Sequence, residues 1–387
     1  MTPKFSTARL DRIAPRMSHW VNEGRYAGIA WTIGGAEGEV HSGRVGALAE
    51  TPLWRIFSMT KPLVSLAAMQ LVEDCQIHLH NRIRRWLPEF DAPQVLAPDG
   101  ALTPAREPIA LDHLLSHMSG LSYPFLGDAV ARRYIEAGVL ADDAQPLRDA
   151  VRHAAAQPLA FHPGEAWKYS IATDVLAALL EEIEQASIGD ILKARIFDPL
   201  GLSETAFHIP ASEKPRVVEM RGTPQPPDWP RRGLIEFGNE HRVDDPFFGR
   251  GGHGLVSTLD DYAAIARSLL RTAQGAEDGL VAPRTLAMMS ANRVPDAHLP
   301  LSIRLPFDVE AVGLGGFGFG LGFSTDLGAR GRRLLGSPGA FGWSGAADTW
   351  FTVDPAGGLY AVFMSQSLDR PGASTDFQTL LHAAVAG

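Results

Sequence analysis

The sequence predicts an α+β protein whose antiparallel sheet is built from both ends of the chain, with a mostly helical region inserted between them. Three observations lead to this prediction. Strand-like hairpins stand near the N-terminus and in the last third, helical periodicity dominates the middle, and the sequence shows no internal repeat. We therefore place a sheet-containing domain at residues 1–75 and 248–387 and a mostly helical domain at residues 76–247.

The first predicted elements are a helix and a hairpin. Apolar residues at helical spacing predict a helix over residues 10–21. The turn signal Gly35-Ala36-Glu37-Gly38 separates two stretches, 26–34 and 39–45, that we expect to form the two strands of a hairpin. A short strand or loop at 53–57 then leads into the next helix.

The middle of the chain is predicted to consist of helices joined by loops. Ala-rich residues 127–157 and an apolar stripe in residues 171–183 both favour helices, and a further helix is expected at 188–196. Residues 208–247 are rich in Pro, Arg and Gly and have no sustained period. We expect this segment to form an irregular rim, because long irregular segments often serve a functional site.

The last third is predicted to hold a second hairpin and the remaining helices. Its strands are expected at 349–353 and 359–364, on either side of the turn Asp354-Pro355-Ala356-Gly357-Gly358. Three helices are predicted from their spacing, at 260–270, 283–291 and 375–385. Ser257 or Thr258 is expected to cap the first of them.

Composition narrows the classes of function. The chain has 387 residues, of which 45% are hydrophobic and 20% charged, and its net charge is -9. Because no Lys/Arg run is present, we expect no nucleic-acid partner. Apolar runs of eighteen residues are absent, so no membrane helix is expected, and the first residues lack the apolar core of a signal peptide, which favours a cytoplasmic protein. Cys75, the single cysteine, excludes an intrachain disulfide and is expected to be a small core residue.

The stretch around Ser58 carries the first sign of chemistry. Lys61 follows Ser58 by three residues, and residues at this spacing share a helix face, so the hydroxyl and the amine can meet. An apolar run through Leu71 predicts that the helix is buried, and burial lowers the pKa of a lysine by disfavouring its charged form. A partly neutral Lys61 could then take the proton of Ser58. The alternative is an exposed lysine beside a capping serine.

Two later motifs line up with this one. They are Tyr169-Ser170-Ile171 and Trp343-Ser344-Gly345. Together with Ser58-Met59-Thr60-Lys61, their order and spacing resemble the serine beta-lactamase and penicillin-binding-protein superfamily. Within it they resemble the class C branch and, more narrowly, the family VIII carboxylesterases.

Two helper stretches, 114–121 and 252–258, match the same superfamily, so the resemblance covers roughly residues 10–385. It implies a beta-lactamase/DD-peptidase-like fold, in which a central antiparallel sheet is flanked by helices.

The resemblance also implies roles for individual residues. Ser58 would be the acylated nucleophile, Lys61 its base or proton relay, and Tyr169 a second proton-transfer group. The backbone N–H groups of Ser58 and Ala346 would form the oxyanion hole. These roles fit general chemistry, because a serine hydroxyl is a poor nucleophile until a neighbour removes its proton, and preset N–H donors stabilise a developing oxyanion. We expect no metal and no cofactor, since no His-Glu-x-x-His or Cys-x-x-Cys motif occurs.

Departures from the family pattern indicate the substrate. Ile171 stands where beta-lactamases commonly carry an asparagine, and Trp343 stands where they commonly carry lysine or histidine. Both changes remove polar recognition and predict an apolar pocket formed by Ile171, Trp343, Ser344 and Gly345. Family VIII esterases show this pattern, although Ser344 departs from their usual Trp-Gly-Gly.

The sequence therefore predicts a serine hydrolase that cleaves short-chain carboxylic esters, with a small-molecule ester as its partner. Two alternatives remain open. The same site could serve a beta-lactamase, a D-amino-acid peptidase or an acyltransferase, or the chain could be a non-catalytic binding protein of the same fold.

Overall fold

Both ends of the chain supply one antiparallel sheet in the computed structural model, which describes residues 4–140, 145–222, 249–299, 301–303, 312–314, 316–328 and 335–386. The described strands are β1 (Gly28–Gly35), β2 (Gly38–Gly46), β3 (Trp54–Arg55), β4 (Gln94–Leu96), β5 (Leu102–Pro104), β6 (Val256–Ser257), β7 (Leu301–Ile303), β8 (Val312–Leu314), β9 (Phe317–Phe319), β10 (Ser324–Asp326), β11 (Phe341–Ser344), β12 (Trp350–Asp354) and β13 (Leu359–Ser365). Seven of them form the central sheet in the order β2-β1-β13-β12-β11-β10-β9. Both predicted hairpins are confirmed.

Helices flank this sheet, as the sequence predicts. The described α-helices are α1 (Thr7–Leu10), α2 (Ile13–Asn22), α3 (Thr60–Glu73), α4 (Leu111–Leu115), α5 (Ala129–Glu136), α6 (Leu147–Ala155), α7 (Ala172–Glu184), α8 (Ile188–Leu192), α9 (Asp198–Leu200), α10 (Leu259–Ala273), α11 (Pro283–Ser290) and α12 (Ala373–Ala384). The first predicted helix is divided into α1 and α2. The predicted helical character of 127–157 is confirmed for α5 and α6 but not directly after α5, which ends at Glu136, where Ala137 and then Gly138 close its last turn.

The sheet is covered on both faces. On one face, α2 and α12 pack their apolar sides against strands β1 and β13 in a cluster that includes Met17, Trp31, Phe363 and Phe377. On the other face lies α10, which contacts β1, β12 and β13. Thr258 caps α10 by accepting a hydrogen bond from the Asp261 N–H at 3.1 Å. Because β1 is buried along its whole length, both of its faces contribute to the core.

Helix α3 is the centre of the larger core. Residues Thr60 to Met69 are all buried, and the helix contacts α7 and α8. A helix that is apolar on every side must be surrounded by protein, which confirms the predicted burial. The prediction for Cys75 is wrong. Since α3 ends at Glu73, Cys75 falls in the turn beyond it, at a φ of 57°, and is exposed.

The predicted rim segment is described only up to residue 222. Its first part holds a 3₁₀ helix, Ala211–Arg216. Leu53 anchors that helix through two backbone bonds, donating to the Arg216 carbonyl at 2.9 Å and accepting from the Val218 N–H at 3.0 Å. Residues 223–247 lie outside the described residues. The division of the chain into two domains remains a prediction.

No described helix combines the length and the apolar character that a membrane span requires.

Candidate active site

Ser58 lies in a strained turn at the start of α3. It is the middle residue of a 3₁₀ turn, Phe57–Met59, and is half-buried. Phe57 adopts a φ of 45°, a left-handed conformation that costs a bulky residue about 1–3 kcal/mol. Packing holds it there, because the Phe57 ring is buried against Met220 and Ala347. The turn that presents Ser58 is therefore fixed by tertiary contacts.

Three predicted residues meet at one oxygen. The Tyr169 hydroxyl donates a hydrogen bond to Ser58 Oγ at 2.6 Å, and Lys61 Nζ donates to the same oxygen at 3.2 Å. Tyr169 comes from the loop before α7, 111 residues away in the chain. Both bonds can reverse when the partner loses its proton, so either group is placed to accept the Ser58 proton.

Lys61 is held in a fixed position inside the protein. Its side chain is only 2% exposed, and its Nζ also donates to the carbonyl oxygen of Gly252 at 2.7 Å. The ring centroids of Tyr169 and Tyr123 lie 4.7 and 5.3 Å from Nζ, where aromatic faces attract a cation. No described carboxylate forms an ion pair with Lys61.

A small two-stranded sheet brings the Gly252 carbonyl to Lys61. Strand β3 pairs with β6, and the N–H of Ile56 donates to the carbonyl of Leu255 at 3.0 Å. The loop before Ser58 is thereby tied to the segment that contains Gly252. Sequence reasoning noted this segment as a helper stretch but missed the carbonyl, because a backbone acceptor has no residue signature.

Aromatic rings surround Tyr169. Its ring centroid lies 5.1 Å from His117, 5.2 Å from Tyr123 and 5.6 Å from Trp343. The Tyr169 side chain is 7% exposed. Such tilted ring pairs contribute about 0.5–1.5 kcal/mol each beyond their buried area, so the direction of the hydroxyl toward Ser58 is well supported.

His117 is one of the neighbours whose place the sequence did not reveal. It is 2% exposed. Burial, and to a smaller extent the positive charge of Lys61, hold the pKa of the His117 ring well below its usual value of 6.5. The ring is therefore neutral at pH 7. Its Nδ1 lies 3.2 Å from Ser170 Oγ. The structure places the His117 ring as an aromatic support for Tyr169.

Two predicted pocket residues have different surroundings. Trp343 packs edge-on against Phe319 at 5.2 Å and against Tyr169, and its buried Nε1 makes no hydrogen bond with the described residues. Ile171 immediately precedes α7, is 1% exposed and belongs to the main core. Trp343 thus stands beside the Tyr169 ring. A pocket-wall role for Ile171 stays a prediction.

The end of β11 approaches the Ser58 turn. Gly345 follows that strand, and a Cβ at this position would lie 2.5 Å from the carbonyl oxygen of Ile56. Glycine is needed for this close approach. Ala346 is half-buried and packs against the cluster that holds Phe57, while Ser344 is half-buried at the strand end. The Ala346 peptide thus lies beside the Ser58 turn, and its role as an oxyanion donor stays a prediction.

Histidines elsewhere do not assemble a metal centre in the described parts of the chain. His78 and His80 stack with ring centroids 5.7 Å apart. Within those same parts, no group of three or more His, Cys, Asp or Glu side chains is placed to hold a metal ion.

Comparisons with known proteins find relatives that match most of the chain. The profile of the family described as Beta-lactamase matches residues 11–384. Protein Rv1367c of Mycobacterium tuberculosis (strain ATCC 25618 / H37Rv) is 34% identical over 87% of this chain and 81% of its own length. Esterase EstB of Burkholderia gladioli is 31% identical over 93% of this chain and 90% of its own length. Among solved structures, "EstCE1, a hydrolase with promiscuous acyltransferase activity" superposes with a TM-score of 0.79 at 23% identity, covering 98% of this chain and 99% of the other.

Proposed function

Because this chain belongs to the beta-lactamase family, we propose that it is a serine carboxylesterase that works through an acyl-enzyme on Ser58. Family membership and the esterase relative support an enzyme that hydrolyses or transfers acyl groups. One observation carries the proposal further: the Tyr169 hydroxyl and the Lys61 amine both bond to Ser58 Oγ, at 2.6 and 3.2 Å. A serine with two such partners is set up to lose its proton as it attacks.

Acylation begins when Ser58 Oγ attacks the ester carbonyl and its proton passes to Lys61 or Tyr169. The carbonyl oxygen becomes an oxyanion, which the N–H groups of Ser58 and Ala346 would stabilise by a few kcal/mol. As the tetrahedral intermediate collapses, the C–O bond to the alcohol breaks. Tyr169 or Lys61 returns the proton to the leaving alkoxide, so an alcohol departs and the acyl group stays on Ser58.

Deacylation repeats these steps with water. Lys61 or Tyr169 takes a proton from the water that attacks the acyl carbon, and the Ser58 oxygen then leaves and regains a proton. The carboxylic acid departs and the resting site returns. Ser58, Lys61, Tyr169 and water thus account for every bond and proton in this cycle.

Apolar surroundings support a short-chain ester as the substrate. Trp343 lies beside Tyr169, and Phe319 packs against Trp343. Neither ring presents the positive charge that would hold the carboxylate of a beta-lactam or a peptide. The combination of Ile171 and Trp343 also resembles family VIII carboxylesterases more than class C beta-lactamases.

We expect the enzyme to hydrolyse short p-nitrophenyl esters, acetate and butyrate, much faster than it opens a chromogenic cephalosporin. The physical reason is the exchange of polar recognition groups for apolar ones at Ile171 and Trp343. Initial rates over a chain-length series, corrected with Ser58→Ala as the matched blank, measure this preference. Strong cephalosporin opening by the wild type alone would reverse the assignment and favour a beta-lactamase.

An acyltransferase is the second candidate, favoured by the name of the solved structure EstCE1. The acyl-enzyme is the same, and an alcohol replaces water in its second half. Adding a short alcohol to the ester assay separates the two functions. Rising yield of a transesterified product with little free acid would favour transfer, whereas mainly free acid supports the esterase. A non-catalytic binding protein would release no product from any ester.

A further inference from the structure

A buried carboxylate lies on the far side of Gly252 from Lys61. Asp174 is in the first turn of α7 and only 1% exposed. Its Oδ1 accepts a hydrogen bond from the Gly252 N–H at 3.1 Å. The carbonyl oxygen of Gly252 accepts a hydrogen bond from Lys61 Nζ at 2.7 Å. A buried lysine and a buried acidic side chain thus hold one glycine from its two ends.

The second oxygen of this carboxylate differs from the first. Oδ2 of Asp174 is buried and accepts no hydrogen bond from any described residue. A carboxylate removed from water in this way is costly unless a positive charge lies near it. An asparagine could accept the Gly252 bond equally well, so a hydrogen bond alone does not account for the acid.

Two glycines let the carboxylate come this close. A Cβ at Gly252 would lie 2.5 Å from Asp174 Oδ2 and 2.6 Å from the Tyr123 hydroxyl. A Cβ at Gly251 would lie 2.0 Å from the carbonyl oxygen of Thr173. Any larger residue would push this segment away from α7 and would withdraw the Gly252 carbonyl from Lys61.

From this geometry we propose that Asp174 is a positioning residue that fixes Gly252 beside Lys61 and supplies the negative charge that stabilises the Lys61 ammonium. The inference rests on the proposed function, because Lys61 becomes an ammonium when it takes the Ser58 proton. Asp174 then lowers the energy of that charged state. The residue itself does not touch the reacting atoms.

The expected signature is a change in the pH profile. Neutralising Asp174 makes Lys61 a weaker base, so Lys61 loses its proton at lower pH. The acid limb of kcat/KM should therefore move about one pH unit toward lower pH, and the plateau should fall on the order of tenfold. The wild type and an Asp174 variant share the other titratable groups around Lys61 and Asp174 and on the Gly252 segment. These are Tyr123, Tyr169, His117, Arg250 and His253.

The test compares Asp174→Asn with wild type on p-nitrophenyl butyrate from pH 5 to 10. Asp354→Asn is the matched control, because Asp354 is also 1% exposed and accepts a glycine N–H, from Gly357 at 2.7 Å, at the far end of β12. The control should keep the wild-type profile. Asp174→Ser is a second neutral variant with room for water beside Gly252, and it should show the same shift.

Each result decides the inference. The inference is overturned if Asp174→Asn and Asp174→Ser both fold and keep the wild-type acid limb of kcat/KM. It is also overturned if neither variant folds, because the carboxylate would then serve the stability of the core. Wild-type protein without ester turnover would instead overturn the proposed function. An acid limb of kcat/KM that moves to lower pH in both Asp174 variants, with the profile of Asp354→Asn unchanged, supports the role of Asp174.

Discussion

Replacing Ser58 with alanine should lower kcat/KM for p-nitrophenyl butyrate by about 10⁴-fold or more. The variant has no oxygen to carry the acyl group, so only the slow catalysis by the remaining site persists. Its fold should survive. Ser58 is half-buried, and its oxygen accepts two hydrogen bonds, each worth about 1 kcal/mol. Steady-state kinetics together with a thermal unfolding scan measure both expectations.

Ser65→Ala is the matched control for this experiment. Ser65 is buried on the same helix, about one turn beyond Lys61, and has no place in the proposed reaction. Its removal should leave kcat/KM within a few-fold of wild type. If Ser58→Ala kept more than a tenth of the wild-type activity, a nucleophile on Ser58 would be ruled out.

Replacing Lys61 with methionine should lower kcat by about 10²–10⁴-fold, the range expected when a general base is lost. Methionine keeps an unbranched chain in a site that is 2% exposed, so the core stays filled. Lys61→Arg should be similarly impaired. Arginine keeps the positive charge, but its pKa above about 12 prevents it from acting as a base.

Lys193→Met is the control for the loss of one lysine. Lys193 is 63% exposed and forms an ion pair with Asp198, so the change should leave kcat unaltered. Comparing Lys61→Met with Lys61→Arg over a pH range separates base catalysis from simple charge. Wild-type kcat in Lys61→Arg would mean that only the charge of Lys61 matters, and the proton would then have to go to Tyr169.

Local spacing was enough to predict the first contact of the site. Ser58 and Lys61 are three residues apart, and the buried helix that follows is visible as an apolar run, so their contact needs only helix geometry. Tyr169 is different. No local pattern places a tyrosine beside a serine 111 residues away, and its expected role came from the resemblance of three ordered motifs to a known superfamily.

Features that depend on the packing of distant segments were not predicted. The carbonyl of Gly252 reaches Lys61 because β3 pairs with β6, and a backbone acceptor leaves no trace in the sequence. Asp174 reads as an ordinary acid in the first turn of a helix, where negative charge is favoured. Only the approach of residues 251–252 to α7 shows what it contacts.

Errors in the element boundaries have similarly physical causes. An Ala-rich composition favours a helix anywhere in 127–157, but Gly138 follows the end of α5 at a positive φ of 67°, a conformation common just past helix ends. Cys75 looked like part of an apolar helix, whereas the helix ends two residues earlier. Sequence periodicity does not fix the residue at which tertiary contacts stop supporting a helix.

Covalent labelling tests the central claim most directly. A p-nitrophenyl phosphonate ester transfers its phosphonyl group to an activated serine and releases p-nitrophenol, leaving a stable adduct that resembles the tetrahedral intermediate. Intact-mass spectrometry and peptide mapping should find one adduct per chain, on Ser58, in wild type and in Ser65→Ala, and none in Ser58→Ala. An unlabelled wild-type protein, or an adduct on another serine, would contradict an acyl-enzyme on Ser58.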